Sequence, residues 1–314
     1  LKKRPLGRSG LEIAPLVLGG NVFGWTADER ASFEVLDAFV GAGFNMIDTS
    51  NSYSSWVSGH DGGESERMIG RWLARRGRRD DVLIATKCGA DLGPGRSGQS
   101  ARVIEQEIEG SLRRLQTDYV DLYQSHYPDP RTPIEETLEA YGRLLKSGKV
   151  RAIGVSNVSG PQLREALAAA DGDTRPRWES LQPEYNLYDR EGYERELEPI
   201  VREAGLGVIP YFSLAAGFLT GKYRSEADFS KSPRGAGMKK YLNDRGRRVL
   251  AALDQVAAQY NATPAQVALA WLMAKPTVTA PIASATSRAQ LEELVRAASL
   301  ALDAEAMALL DATG

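Results

Sequence analysis

Two hydrophobic rhythms alternate along the chain. Short, mostly apolar runs at residues 16–18, 45–47, 82–85, 120–123, 152–155, 180–182, 208–210 and 279–282 have the length and composition of buried strands. Between them, apolar residues recur at helical spacing: Met68, Ile69, Trp72 and Leu73; Ile104, Ile108, Leu112 and Leu115; Ile134, Leu138, Tyr141 and Leu145; Leu197, Ile200, Val201 and Ala204; Leu291, Leu294 and Val295. Two helix starts carry capping signals, Thr132-Pro133-Ile134-Glu135 and Thr263-Pro264-Ala265-Gln266. In each, a hydroxyl can accept from the third helical N–H while proline fills the first turn. Ahead of the first run, residues 3–6 and 11–14 flank a Gly7-Arg8-Ser9-Gly10 turn and read as a hairpin. Parallel strands need crossover helices. Eight strand–helix units without a break in composition predict a (β/α)8 barrel over a doubly wound open sheet, with the hairpin capping the barrel bottom. No linker or low-complexity tract appears, so residues 1–314 read as one domain. One segment breaks the rhythm. Residues 221–243, after the seventh strand, are rich in Gly, Ser and Lys and lack periodicity. A loop there belongs to the C-terminal face of a barrel, where active sites form, and its length predicts a clasp that orders over a bound cofactor.

Composition narrows the function. Of 314 residues, 42% are hydrophobic and 25% charged, which fits an ordinary globular chain and argues against disorder. Lys and Arg number 39 against 41 Asp and Glu, a formal charge of −2, so no cationic excess points to nucleic acid or an anionic bilayer. The apolar run at residues 267–274 is under half the roughly 20 residues that span a membrane. Cys88 is the single cysteine, which leaves no intrachain disulfide. The first residue is Leu1 and no charged-then-apolar leader follows it; cytoplasm is the expected compartment.

Four polar residues stand where strands end and loops begin: Asp48, Tyr53, Lys87 and His126. Each alone has an ordinary structural explanation, as a capping carboxylate, a packed ring, a surface amine or a hydrogen-bonded imidazole. Together they make an acid–base set on one barrel face, where burying a carboxylate and an ammonium is costly unless they pair. With two histidines and one cysteine, a metal site has few ligands, and none is expected.

Ile47-Asp48-Thr49-Ser50 leading to Tyr53, Ala85-Thr86-Lys87, and Gln124-Ser125-His126-Tyr127-Pro128 resemble the Asp, Tyr, Lys and His tetrad of the aldo-keto reductases. The resemblance continues in order through Gly154-Val155-Ser156-Asn157, Leu181-Gln182-Pro183-Glu184-Tyr185-Asn186, Gly217-Phe218-Leu219-Thr220-Gly221-Lys222-Tyr223 and Ile282-Ala283-Ser284-Ala285-Thr286, covering essentially the whole chain. It implies NADPH-dependent reduction of a small-molecule aldehyde or ketone. Tyr53 would supply the proton, the Lys87 ammonium would favour the tyrosinate and so sharpen Tyr53 as an acid, and Asp48 would hold Lys87. His126, neutral, would donate to the carbonyl oxygen; the sequence does not reveal its tautomer.

The resemblance also implies cofactor contacts. Ser156, Asn157 and Gln182 match residues that bond the nicotinamide carboxamide, Tyr211 the aromatic that stacks on its ring, and Asp48, Gly20 and Asn21 complete that end. Phe212, Leu214, Ala215, Gly217 and Lys222 fall along the phosphates, and Ser284, Thr286, Arg288, Gln290 and Glu293 around the adenosine end. The usual Lys and Arg that grip a 2′-phosphate are here Ser284 and Gln290, so NADPH is favoured by a modest margin and NADH remains possible. Phe23, Trp56 and Tyr127 are candidates for an apolar substrate wall.

Two further readings stand beside the reductase. One is a cofactor-binding regulatory or redox-sensing protein on the same scaffold, like the potassium-channel β subunits. The other is a Schiff-base aldolase with Lys87 as nucleophile, which leaves Ser156, Asn157, Gln182 and Tyr211 unexplained. The sequence does not address the natural substrate, the direction of reaction in the cell or the oligomeric state.

Overall fold

A computed structural model describes residues 1–313. The hairpin forms as β1 (Arg4–Pro5) and β2 (Glu12–Ile13), paired antiparallel. Gly7 makes its turn at φ +58°, where a β-carbon would lie 2.2 Å from the Glu179 carbonyl oxygen, so both the dihedral and the space require glycine.

Among the described residues, eight parallel strands follow: β3 (Val17–Gly19), β4 (Met46–Asp48), β5 (Leu83–Cys88), β6 (Val120–Ser125), β7 (Val150–Ser156), β8 (Ser180–Gln182), β9 (Gly207–Val208) and β10 (Ile282–Ala283). They hydrogen-bond in the order β10-β3-β4-β5-β6-β7-β8-β9. The ring closes through single bonds rather than a ladder: Ile282 N–H donates to the Pro210 carbonyl (2.9 Å) and Thr279 N–H to that of Val208 (2.8 Å). Pro210 and Pro281 have no N–H to give. That is why β9 and β10 are shorter than the runs at 208–210 and 279–282.

Inward-facing Val17, Met46, Ala85, Leu122, Ala152 and Ile209 pack with Leu6, Leu11 and Ile13 of the hairpin, which thereby caps the barrel bottom. The outer layer carries α1 (Glu29–Gly41), α2 (Glu64–Arg76), α3 (Ala101–Leu115), α4 (Ile134–Lys146), α5 (Gly160–Ala169), α6 (Glu198–Ala204), α7 (Asp244–Tyr260), α8 (Pro264–Ala274), α9 (Arg288–Arg296) and a C-terminal α10 (Ala304–Asp311). Thr263 caps α8 in a full capping box with Gln266. The matching signal at Thr132 is not used. Helix α4 begins at Ile134 without a side-chain cap, and Thr132 Oγ1 donates to Asp129 Oδ2 (2.9 Å), because that carboxylate already gathers its own turn. No helix of the described residues is long and apolar enough to cross a membrane.

Residues 221–243 are not shapeless. They form two short 3₁₀ turns, Glu226–Lys231 and Gly235–Tyr241, anchored by buried Tyr223, Met238 and Tyr241.

Candidate active site

Strand pleat places the chemistry. Two residues beyond inward Met46, Ala85 and Leu122 lie Asp48, Lys87 and Gln124, so on these strands the barrel's upper layer is polar where the layer below is apolar; Gln182, two beyond Ser180, ends β8. Lys87 sits inside β5, which runs further than residues 82–85. Asp48 and Lys87 are 1% and 0% exposed. The Lys87 ammonium donates to Asp48 Oδ2 (2.6 Å), the Thr49 carbonyl (2.9 Å) and Tyr53 Oη (2.8 Å). Tyr53 in turn donates to Asp48 Oδ2 (3.1 Å). Gln124 and Gln182 both donate to Asp48 Oδ1, at 3.1 and 2.9 Å. A buried ion pair holds only when its remaining donors and acceptors are satisfied, and here they are.

Burial and the Asp48 carboxylate push the Tyr53 phenol well above its ordinary value, and burial draws Lys87 down against the pull of Asp48. The Lys87 ammonium lies 2.8 Å from Tyr53 Oη, where it favours the tyrosinate, but in the resting site burial and Asp48 outweigh it. Asp48 and Lys87 already cancel, and ionising Tyr53 would leave a net buried negative charge. Tyr53 stays protonated, which is the form a proton donor needs.

His126 follows β6, its ring centroid 6.2 Å from that of Tyr53. Burial, then the Lys87 charge, holds its imidazole neutral, well below the ordinary histidine value. Its Nδ1 meets the Ser50 and Ser52 hydroxyls at 3.2 and 3.4 Å.

Ser156, Asn157 and Tyr211 come together beside the tetrad. Ser156 Oγ donates to the Gln182 carbonyl (2.7 Å), Asn157 Nδ2 to the His126 carbonyl (2.9 Å), and Tyr211 Oη to Asn157 Oδ1 (2.8 Å). Asn157 takes a left-handed φ of +56° to do so. Gly20 and Asn21 lie in a 3₁₀ turn after β3; a β-carbon on Gly20 would meet Ser65 Oγ at 2.8 Å. Asn21 Oδ1 accepts from Ser284 Oγ (2.6 Å), joining the first and last strands.

The loop after β9 is strained. Phe212, Ala215 and Ala216 have φ of +51°, +48° and +55°, each costing about 1–3 kcal/mol. Gly217 continues the run at +106°, and Leu214 precedes it at −108°. At the far end, Thr286 and Ser287 lead into α9. Ser287 caps Gln290 N–H, while Gln290 Oε1 accepts from the Thr286 N–H (2.9 Å). Arg288 is exposed and paired with Glu292 (2.8 Å), and Glu293 is half-buried, its carbonyl accepting from Gln266.

The proposed substrate wall needs one correction. Phe23 is fully buried in the outer core and cannot line the mouth. Trp56 and Tyr127 are 52% and 46% exposed, and Tyr127 stacks on His126 with centroids 4.6 Å apart. Sequence reading missed Trp25, edge-on to Trp56 at 5.5 Å, and Arg234 of the 3₁₀ segment, whose guanidinium lies 5.5 Å from the Trp25 ring centre. Burial draws Arg234 below its ordinary value. Among the described residues neither Arg234 nor Lys222 has a carboxylate partner. Nothing local marks Arg234 among the other loop cations; Gln124, by contrast, was legible as a polar residue at an inward strand position.

A cavity of about 400 Å³ between α2 and α3 is lined by Arg67, Arg71, Arg113 and Arg114. It lies in the helical layer, and three of these cations are already matched by Glu64, Glu29 and Glu66.

The sequence pattern of the Aldo/keto reductase family matches residues 15–314. The chain belongs to the aldo/keto reductase family. It is 37% identical to the uncharacterized oxidoreductase YrpG of Bacillus subtilis (strain 168), over 98% of this chain and 94% of that protein. It is 34% identical to the aldo-keto reductase YhdN of the same organism, over 95% and 87%. It is also 33% identical to a probable voltage-gated potassium channel subunit beta of Arabidopsis thaliana, over 95% and 91%. Like its family, this aldo/keto reductase is an oxidoreductase on a (β/α)8 barrel.

Proposed function

We propose that this aldo/keto reductase reduces an aldehyde or ketone to the alcohol at Tyr53, using NADPH. The observation that carries the reading is the closed Asp48–Lys87–Tyr53 triangle, buried yet fully bonded, with the His126 ring beside it. The cofactor fits this chain on its charges: Arg234 and Lys222 are cations without carboxylate partners among the described residues, on a loop whose left-handed backbone suits a pyrophosphate. Ser156, Asn157, Gln182 and Tyr211 would hold the nicotinamide end, Gly20 and Asn21 its flank, and Leu214, Ala215 and Gly217 the phosphates. Ser284, Thr286, Ser287 and the N–H groups opening α9 would meet the adenosine end, with Arg288 on the 2′-phosphate once it leaves Glu292. Reduced nicotinamide, when bound, supplies hydride to the carbonyl carbon.

The residues do the rest. As the carbonyl oxygen gains charge, the Tyr53 proton passes to it, and Lys87 then faces a tyrosinate it can stabilise directly. His126 donates to the same oxygen and fixes its position. Trp56 and Tyr127 form the apolar rim. Lys87 does not suit Schiff-base chemistry, since all three ammonium protons are spoken for by Asp48, Thr49 and Tyr53. The regulatory reading shares the cofactor site and differs in turnover. A panel of aldehydes and ketones, followed through loss of the reduced-cofactor absorbance, decides between them: the reductase reading requires turnover of at least one carbonyl, and tight NADPH binding without any turnover favours the regulatory one.

A further inference from the structure

The outer helices pair their charges across the grooves between them, and the groove between α2 and α3 departs from that habit. Arg71 and Arg75 of α2 reach Glu29 and Asp37 of α1 at 2.7 and 2.5 Å, Arg143 of α4 reaches Glu105 of α3 at 2.7 Å, and Arg164 of α5 reaches Glu203 of α6 at 3.2 Å. Between α2 and α3 the described residues form such a pair only at the floor, where Arg114 Nε donates to the buried Glu66 Oε2 (2.6 Å). Beside it opens the cavity of about 400 Å³, lined by four guanidinium groups and no carboxylate. Arg113 has no carboxylate partner among the described residues, and Arg67 has only Glu64 of its own helix, at 3.5 Å. The acidic residues of α3 are engaged elsewhere: Glu105 and Glu109 with Arg143 and Lys149, Glu107 with Arg96 and Asn51. Glycine gives Arg114 its room. A β-carbon on Gly63, at φ +86°, would lie 2.6 Å from Arg114 Cδ, and one on Gly110 would lie 3.0 Å from Arg114 Nη1. An adjoining recess of about 280 Å³ shares Arg67, Arg113 and Arg114 with the cavity.

Cations in the last turn of a helix complement its dipole, which accounts for Arg113 and Arg114 at the end of α3. It does not account for Arg67 and Arg71, which stand four apart in the first half of α2, where like charges repel and the dipole gives them no support. We infer that the α2–α3 groove binds a small molecule carrying two or more anionic groups of the phosphate class, held by Arg67, Arg71, Arg113 and Arg114. Guanidinium forks match phosphate oxygens in pairs, and a ligand bridging both helices would neutralise charges that the protein leaves facing one another. The cavity has the volume of a small-molecule site. Arg114 is only 16% exposed, so its attraction for an anion is screened less than that of a surface cation. The site lies in the helical layer, away from the barrel mouth, and the inference does not rest on the carbonyl-reductase reading.

The test titrates inorganic pyrophosphate into the full chain by calorimetry at low salt, without cofactor. Lys222→Ala/Arg234→Ala serves as the parent, so that the loop at the barrel mouth does not compete for the probe. One pyrophosphate per chain is expected, bound more tightly than orthophosphate. Adding Arg67→Ala/Arg113→Ala should weaken it by about tenfold or more, the scale of lost charge-assisted bonds. Both side chains reach solvent, so the fold does not depend on them. Adding Arg247→Ala/Arg248→Ala instead removes the same charge from an exposed stretch of α7 and should leave the affinity unchanged. Absence of binding to the parent overturns the inference, as does an affinity indifferent to Arg67→Ala/Arg113→Ala. Equal losses in the two arginine pairs would reduce the effect to net charge and overturn the site. Orthophosphate binding as tightly as pyrophosphate would overturn a ligand that bridges the two helices.

Discussion

The two halves of the barrel mouth are built on opposite principles. On the side of β4, β5 and β6, each charge has its partner within the protein: Lys87 with Asp48, Glu66 with Arg114 and Thr86, Glu107 with Arg96 and Asn51. On the side of β9 and β10, Arg234 and Lys222 have no carboxylate partner among the described residues, and the backbone sits in strained left-handed conformations. The first half is complete without a ligand, and the second is not. A reacting centre gains from groups that need not move as charge develops, whereas a binding surface gains from groups whose best partner is the ligand.

The largest effect should come from breaking the complete half. Tyr53→Phe keeps the ring and removes only the proton donor, so carbonyl reduction should fall by about 10²–10⁴-fold while NADPH affinity stays close to wild type. Steady-state kinetics with a good aldehyde, beside fluorescence titration of cofactor, checks both; near-normal turnover removes Tyr53 from the mechanism.

Lys87→Met should cost comparable activity, and the Lys87→Met/Tyr53→Phe pair little more than either alone, since the groups act as one unit. It should also cost about 3–5 kcal/mol of stability by stranding Asp48, measured by denaturant unfolding. Multiplicative losses in kcat would show that Lys87 acts apart from Tyr53.

The incomplete half should yield binding effects instead. Arg234→Ala is expected to weaken NADPH and NADH alike by about tenfold, as loss of one charge-assisted contact to the pyrophosphate they share. Arg288→Ala should weaken NADPH alone and only a few-fold, because Glu292 competes for this exposed guanidinium. Equal losses for both cofactors in Arg288→Ala would place it away from the 2′-phosphate. Protease cleavage within residues 221–243 should slow when NADPH is added, through the same contacts; unchanged cleavage at saturating cofactor argues against a clasp.

The smallest effect concerns pH. His126 binds its proton well below the ordinary value of 6.5 when folded, so below about pH 6.5 the unfolded chain takes up a proton that the native one does not. Stability should therefore fall as pH drops from 6.5 toward that lower value. His126→Gln should flatten this part of the thermal-melt profile by up to one proton's slope, and an equal slope in both proteins would contradict a buried neutral ring.

Much of this molecule was legible from order along the chain. Strand and helix periodicity reports which face of each element is buried, and eight repetitions leave few ways to bury them all. The tetrad was legible because Asp48, Lys87 and His126 interrupt apolar strands where a barrel has its mouth. The strand ends at Pro210 and Pro281 were misplaced, although the prolines themselves were visible, because only ring closure shows which N–H the ladder lacks.

What the tertiary structure alone decided are matters of pairing across long separations. Phe23 and Trp25 lie two residues apart, yet one is buried in the outer core and the other meets Trp56 and Arg234. Arg288 and Glu292 stand four apart on α9, a pairing that local spacing allows, whereas only packing sets Arg234 against the Trp25 ring with no carboxylate partner among the described residues. The direction of the Tyr53 shift likewise depends on burial and on the nearness of Asp48. Sequence fixes which groups are available, by local pattern. Their charge state and partner depend on distance and dielectric, which are properties of the folded barrel.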